Sequence, residues 1–131
     1  MKRDSTTVYL SGRFGWREEL NRYREELAQL GVEVTSRWLT DPTPDLTDEA
    51  WRLLASKDRE DIERAEAFVL FADSSRDSGG GRHVEFGMAL ALGKRVIVVG
   101  EIENLFQCLA EVEVVTSWDE ALALLCCPPR P

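Results

Sequence analysis

Ser78-Gly79-Gly80-Gly81-Arg82-His83-Val84-Glu85-Phe86-Gly87-Met88-Ala89-Leu90-Ala91-Leu92-Gly93-Lys94 is the stretch on which the fold turns. Three glycines close a strand-like run. Val84, Phe86, Met88, Ala89, Leu90, Ala91 and Leu92 then make a helix that is apolar on nearly every side. Such a helix is expected to be buried. It carries one carboxylate, Glu85, in its first turn, with Met88, Ala89 and Leu92 three, four and seven residues on. Those spacings share a face, so the acid sits on an apolar stripe. Two readings are open: an acid that complements the helix dipole with its tip in solvent, or a carboxylate held in a pocket for chemistry.

Outward from this helix the chain alternates. Ala67-Phe68-Val69-Leu70-Phe71-Ala72-Asp73 before it and Arg95-Val96-Ile97-Val98-Val99-Gly100 after it are apolar runs typical of strands covered on both faces. Thr7-Val8-Tyr9-Leu10-Ser11 reads as a first strand that stops at Gly12. Trp16, Leu20, Tyr23, Leu27 and Leu30 follow at helical spacing, closed by Gly31. Residues 32–38 read as a second strand, and Pro42 and Pro44 keep the next segment irregular. Thr47 caps a helix whose stripe is Trp51, Leu54, Asp58, Ile62 and Ala65. Asp58 therefore stands where the pattern calls for an apolar residue. An unbroken helix would set it well down the side of the sheet; a break near Ser56-Lys57 would set it in the first turn of a second helix. Asp61 reads as a solvated helix acid. Beyond the strand at 95–100 come a loop with one or two helical turns (101–109), a short strand (113–115), and a helix opened by the capping-box spacing Ser117-Trp118-Asp119-Glu120.

The pattern is an α/β fold: a flavodoxin-like, doubly wound, five-stranded parallel sheet of order 2-1-3-4-5 with helices on both faces. One domain is expected over 1–127, with a disordered tail at 128–131. Ligands of such sheets bind beyond the carboxyl ends of the strands, at the switch between strands 1 and 3. That places Tyr9, Ser11, Gly12, Arg13, Asp73, Asp77, the glycine loop from Ser78 through Gly79 and Gly81, and Glu85 at one site.

Composition narrows the function. The chain has 131 residues and a net charge of −8, which argues against a surface built to grip a nucleic-acid polymer. No apolar run approaches the length of a membrane helix, and no signal peptide is evident. Three cysteines, two of them adjacent, suit reduced thiols and a cytoplasmic setting. A single histidine, His83, and no Cys-x-x-Cys pair make a metal site unexpected, and nothing calls for a cofactor. Neither glycine segment has the Gly-x-Gly-x-x-Gly dinucleotide spacing, and a P-loop lysine-serine pair, a receiver acidic pair and a nucleophile elbow are all missing. Carboxylates, a tyrosine and backbone amides remain. One carboxylate can attack an anomeric carbon whose transition state resembles an oxocarbenium ion, while a second acid protonates the leaving group.

Three segments together, Tyr9-Leu10-Ser11-Gly12, Asp58-x-x-Asp61-Ile62-x-x-Ala65, and 79–87 with 89–94, resemble the nucleoside 2-deoxyribosyltransferase family, a superfamily that includes nucleotide N-glycosidases. The resemblance covers about 8–109 and implies a flavodoxin-like fold and cleavage of the N-glycosidic bond through a glycosyl-enzyme intermediate. It makes Glu85 the nucleophile, Tyr9 the residue that orients it, and Asp58 the group that binds or protonates the base, and it favours the broken-helix version of that segment. Substrates implied are a deoxynucleoside or deoxynucleotide and a free nucleobase, and the assembly implied is a homo-oligomer. Transferases of the family commonly carry an acid six before the nucleophile, where this chain has Gly79; Asp77 and Ser78 stand near it. Ser11, Arg13 and Arg82 could hold a 5′-phosphate or could equally be surface groups. His83 and Asn104 are further candidates for ligand contact, each with a packing or loop-capping alternative. Transfer and hydrolysis share every residue named, and a non-catalytic nucleotide-sensing module is the alternative of another class.

Overall fold

The computed structural model describes residues 6–42, 47–72 and 80–126. β1 (Thr7–Ser11), β2 (Glu33–Val34), β3 (Ala67–Phe71), β4 (Arg95–Val99) and β5 (Val112–Val115) form one parallel sheet in the expected order 2-1-3-4-5. β3 is buried at every residue, as its unbroken apolar run requires. Alternate side chains of β1 and β3 feed two cores. Val8, Leu10, Val69 and Phe71 pack under α1 (Arg17–Gln29) and α4 (Trp118–Leu125). Tyr9, Phe68 and Leu70 pack on the other face with Ile62 of α2 (Asp48–Arg64) and Phe86 and Ala89 of α3 (Gly81–Ala91). Gly31, with φ +80°, ends α1 in the left-handed conformation that glycine adopts without strain. Ser117 accepts from the Glu120 N–H at the head of α4 as the capping-box spacing predicts.

Several expectations need correction. The second strand is only Glu33–Val34, and residues Arg37–Leu39 form a 3-10 turn instead. Asp61 explains the turn. It is fully buried rather than solvated, and its carboxylate accepts from the Arg37 backbone N–H at 2.9 Å and from Arg37 Nε at 2.8 Å. Trp38 is pulled inward as a result, its Nε1 donating to the Leu10 carbonyl at 2.9 Å.

α2 has no break. Its 17 residues span about 25 Å at 1.5 Å each, whereas the 5 residues of β3 span about 17 Å. The helix overhangs the sheet, so Asp58 in its middle lies level with the carboxyl ends of the strands. Trp51, expected on the buried stripe, is 59% exposed on that overhang. α3 is buried on one side only: Arg82, Phe86 and Ala89 face the sheet, while Val84 and Leu92 are exposed. Among the described residues no helix is long and apolar enough to cross a membrane.

Candidate active site

β1 presents Tyr9 and Ser11 on one face, because residues two apart on a strand point the same way. Both side chains reach Glu85, in the first turns of α3. The Tyr9 hydroxyl donates to Oε2 at 2.8 Å and the Ser11 hydroxyl to Oε1 at 2.8 Å, so each carboxylate oxygen has its own donor. Tyr9 is fully buried and stacks on Phe68, its register partner on β3, with ring centroids 5.5 Å apart. Ser11 is fully buried as well. Its hydroxyl is thus engaged by Glu85, where the sequence suggested a group for the substrate.

Asp58 approaches the same carboxylate from α2. Burial, and then the Glu85 charge beside it, push the Asp58 carboxyl up to about 7. Burial also raises Glu85 above the ordinary carboxylate range, but hydrogen bonds from Ser11, Tyr9 and Asp58 pull it back down. The two acids cannot both carry charge at this separation without mutual repulsion. Of the two, Glu85 is the one whose charged form receives the Tyr9 and Ser11 hydroxyls, which favours charge there and the proton on Asp58. The Tyr9 hydroxyl is raised well above its usual value, first by burial and then by the Glu85 and Asp58 charges, so it stays a donor throughout the working pH range.

Glu85 and Asp58 open into a cleft of about 200 Å³ between α2, α3 and the segment that follows β1. Gly12, Gly81 and Arg82 also line it. At Gly12 the packing is close: a Cβ there would come within 3.3 Å of Leu20 and 3.4 Å of Phe71. The remaining lining is Phe14, Arg17, Trp38, Asp41, Pro42 and Leu54. The Arg17 guanidinium lies 4.6 Å over the Phe14 ring and donates to the Asp41 carbonyl at 2.6 Å, while Lys57 pairs with the Asp41 carboxylate. These wall residues were missed in the sequence, although the aromatic pair Phe14 and Trp38 flanking the first crossover helix was a usable signal.

Other candidates fall elsewhere. Arg13 does not line the cleft. Two residues before Glu85, His83 is turned about 200° away from it around α3, and its Nδ1 faces the Asn104 amide at 3.4 Å. Asn104 accepts from the Phe106 N–H with its own side chain and so caps the turn Leu105–Cys108. Neither residue lines the cleft. Asp73, Asp77, Ser78 and Gly79 lie outside the described residues. Among the described residues no group of three or more His, Cys, Asp and Glu side chains is placed to hold a metal ion.

Removing the Tyr9 hydroxyl tests its part in this arrangement. Loss of a hydrogen bond to the charged form raises the Glu85 pKa further, so in Tyr9→Phe the acid limb of the rate profile moves to higher pH. Turnover at neutral pH drops about 10- to 100-fold. An unmoved acid limb would show that the tyrosine only packs.

A parallel sheet of this order, with two carboxyls meeting at its switch point, defines a flavodoxin-like protein with an acidic site. The family model for nucleoside 2-deoxyribosyltransferase matches residues 8–115, and the chain belongs to that family. Solved structures of similar fold include a 2-deoxyribosyltransferase from the psychrotolerant bacterium Bacillus psychrosaccharolyticus. It is 22% identical, with 96% of this chain and 100% of that one covered, at a TM-score of 0.72. A CMP N-glycosidase from Clostridium botulinum is 19% identical over 92% of this chain and 98% of that one, TM-score 0.60. A 2-deoxyribosyltransferase from Leishmania mexicana is 17% identical over 92% and 96%, TM-score 0.62. Comparison with curated proteins found no match.

Proposed function

We propose that the chain cleaves the N-glycosidic bond of 2′-deoxynucleosides or their 5′-monophosphates and transfers the sugar to another nucleobase. One observation carries this reading: Glu85, gripped through both oxygens by the Tyr9 and Ser11 hydroxyls, sits beside the Asp58 carboxyl, which burial pushes up to about 7. With the sugar over α3, a Glu85 oxygen attacks the anomeric carbon as the carbon–nitrogen bond breaks. Asp58 gives its proton to the departing base, and a covalent glycosyl-Glu85 ester results. The ring nitrogen of a second base then attacks that ester, its proton returns to Asp58, and Glu85 is released as carboxylate. Trp38, Phe14, Pro42 and Leu54 give the base an apolar wall that excludes water. Hydrolysis would use the same groups with water as the acceptor, and a CMP N-glycosidase is among the proteins of similar fold.

Incubation with each common deoxynucleoside and its monophosphate, with and without an added free base, separates the outcomes. A swapped nucleoside is the expected product. Free sugar or sugar phosphate would mean hydrolysis, and tight binding without any product would mean a sensing module.

The outer stripe of α3, with Val84 and Leu92 exposed on either side of Gly87 and Ala91, suits a second copy of the chain, because the small residues let another helix approach closely. Sedimentation is expected to give a dimer or higher assembly that Val84→Lys dissociates. A wild-type monomer at micromolar concentration would end that proposal.

A further inference from the structure

Asp61 is a fully buried carboxylate that the proposed reaction does not use. It stands one turn after Asp58 on α2, and both its side chain and its backbone reach the segment that follows β2. The carboxylate accepts from the Arg37 backbone N–H and from Arg37 Nε. The Asp61 carbonyl accepts from the Thr35 hydroxyl at 2.8 Å. Lys57, just before Asp58, pairs with Asp41 at 2.5 Å. The turn of α2 that carries Asp58 is thus tied on both sides to residues 35–41, the segment that brings Trp38 and Asp41 to the cleft.

The same segment is tied to β1. β2 stops at Val34, so on that side Leu10 has no strand residue beside it, and side chains take the place of the ladder. The Ser36 hydroxyl accepts from the Leu10 N–H at 2.7 Å, and Trp38 Nε1 donates to the Leu10 carbonyl. Leu10 lies between Tyr9 and Ser11, the two residues that hold Glu85. One short segment therefore sets the register of the strand that holds Glu85, the helix that carries Asp58 and the indole of the wall.

We infer that Asp61 is a positioning residue for the departing base: through Arg37 it sets the spacing between the Asp58 carboxyl and the Trp38 ring, so that the base lies against the indole with its nitrogen at the acid. The inference rests on the N-glycosidic reading above for the place of the base between these two groups. A buried ion pair is weak evidence for stability, because well-packed apolar residues commonly serve as well. Ile62 and Ala65 already pack this end of α2 against Tyr9 and Phe68. What a carboxylate with two donors adds is a fixed direction as well as a distance.

The test compares kcat/KM for the best common deoxynucleoside and for 7-methyl-2′-deoxyguanosine, whose cationic base leaves without taking a proton. It is run at about pH 6, below the Asp58 value of about 7. Asp61→Asn keeps the size of the side chain but turns an amide N–H toward one of the two Arg37 donors. It should lower the first rate about tenfold and the second less than about threefold, because a misplaced acid costs only a reaction that needs one. Arg37→Ala should act in the same direction. It alters a side chain that is 44% exposed, so it carries the comparison if Asp61→Asn fails to fold. The two variants change the local charge in opposite senses, so a loss common to both comes from position. In an Asp58→Asn background, Asp61→Asn should cost less than about twofold more. Equal losses on both substrates, or a loss that multiplies with that of Asp58→Asn, would mean that Asp61 only supports the fold and would overturn the inference.

Calorimetric titration with free nucleobases separates this inference from the catalytic reading. Suppose the wild type shows no turnover, yet Asp61→Asn and Asp58→Asn each weaken base binding and together weaken it no more than either alone. The positioning then stands and the catalysis falls. Wild-type turnover with equal losses on the two substrates sinks the positioning alone. Without turnover, base binding that is absent or indifferent to Asp61→Asn sinks both.

Discussion

Glu85→Ala is expected to reduce turnover about a thousandfold or more, roughly 4 kcal/mol of transition-state stabilisation, while the protein still folds. The reaction as proposed passes through a bond to this oxygen, and Asp58, the acid beside it, is needed as the proton donor. Stability changes little because two effects oppose each other. Truncation leaves the Tyr9 and Ser11 hydroxyls without their acceptor, at about 1–3 kcal/mol for each buried orphan. It also removes a charge that the fold holds against desolvation. The checks are kcat with the best substrate and a thermal melt of the same preparation. Activity above a few per cent of wild type would mean that another group attacks the sugar. A variant that fails to fold would mean that Glu85 is a structural acid, and Glu85→Gln, which keeps the shape and one acceptor oxygen while its amide nitrogen donates to the other hydroxyl, then distinguishes the roles.

Asp58→Asn should act on rate and stability in opposite directions. Without a proton to give, departure of the base slows by about 10²- to 10⁴-fold for ordinary nucleobases and much less for a leaving group that departs as a stable anion. The wild-type rate should fall as pH rises through about 7, where Asp58 deprotonates, and that alkaline limb should be missing in the variant. Equal slowing with good and poor leaving groups would remove Asp58 from the acid role.

For stability the sign is fixed by which state holds the proton. The folded-state pKa, about 7, lies above the ordinary aspartate value of 3.8, so between these values the native state binds more protons than the unfolded one. Stability therefore declines as pH rises from about 4 to about 7. The amide of the Asp58→Asn variant carries no such penalty and should stabilise the fold at pH 8 by about 1–2 kcal/mol, after discounting for the solvated part of the carboxyl. The gain should fade toward pH 4. A melting-temperature difference that does not depend on pH would contradict the electrostatic account of the pair.

Much of this was legible before any coordinates. The parallel sheet follows from strands and helices alternating about five times, with β3 and β4 apolar throughout and so covered on both faces. Glu85 stood out because it is the single acid on an apolar helix, and Tyr9, on the strand beside the switch point, was the partner expected for it; that Ser11 donates to the same carboxylate was not foreseen. What escaped was tertiary. Asp61 looked solvated because its partner, the Arg37 backbone, is 24 residues away and is reached only once α2 packs over β1. The same contact converts the expected end of the second strand into the turn that swings Trp38 into the cleft wall. The unbroken α2 escaped because helix length relative to strand length decides where Asp58 sits, and periodicity says nothing of that. Arg17 reads as one more surface charge until the Phe14–Trp16 turn brings its guanidinium over a phenyl ring.

The central claim is a covalent bond between Glu85 and the anomeric carbon, and intact-protein mass spectrometry with a slowed substrate tests it most directly. A fluorine at the 2′ position withdraws electrons from an oxocarbenium-like transition state, so a 2′-fluoro-2′-deoxyarabinosyl nucleoside should load the enzyme faster than it unloads. The account predicts a mass increase of one fluorinated sugar, mapped by proteolysis to the peptide carrying Glu85, chased off by an added nucleobase and absent in Glu85→Ala. Turnover of the natural nucleoside with no adduct from the fluorinated one, or an adduct on a different side chain, would contradict it.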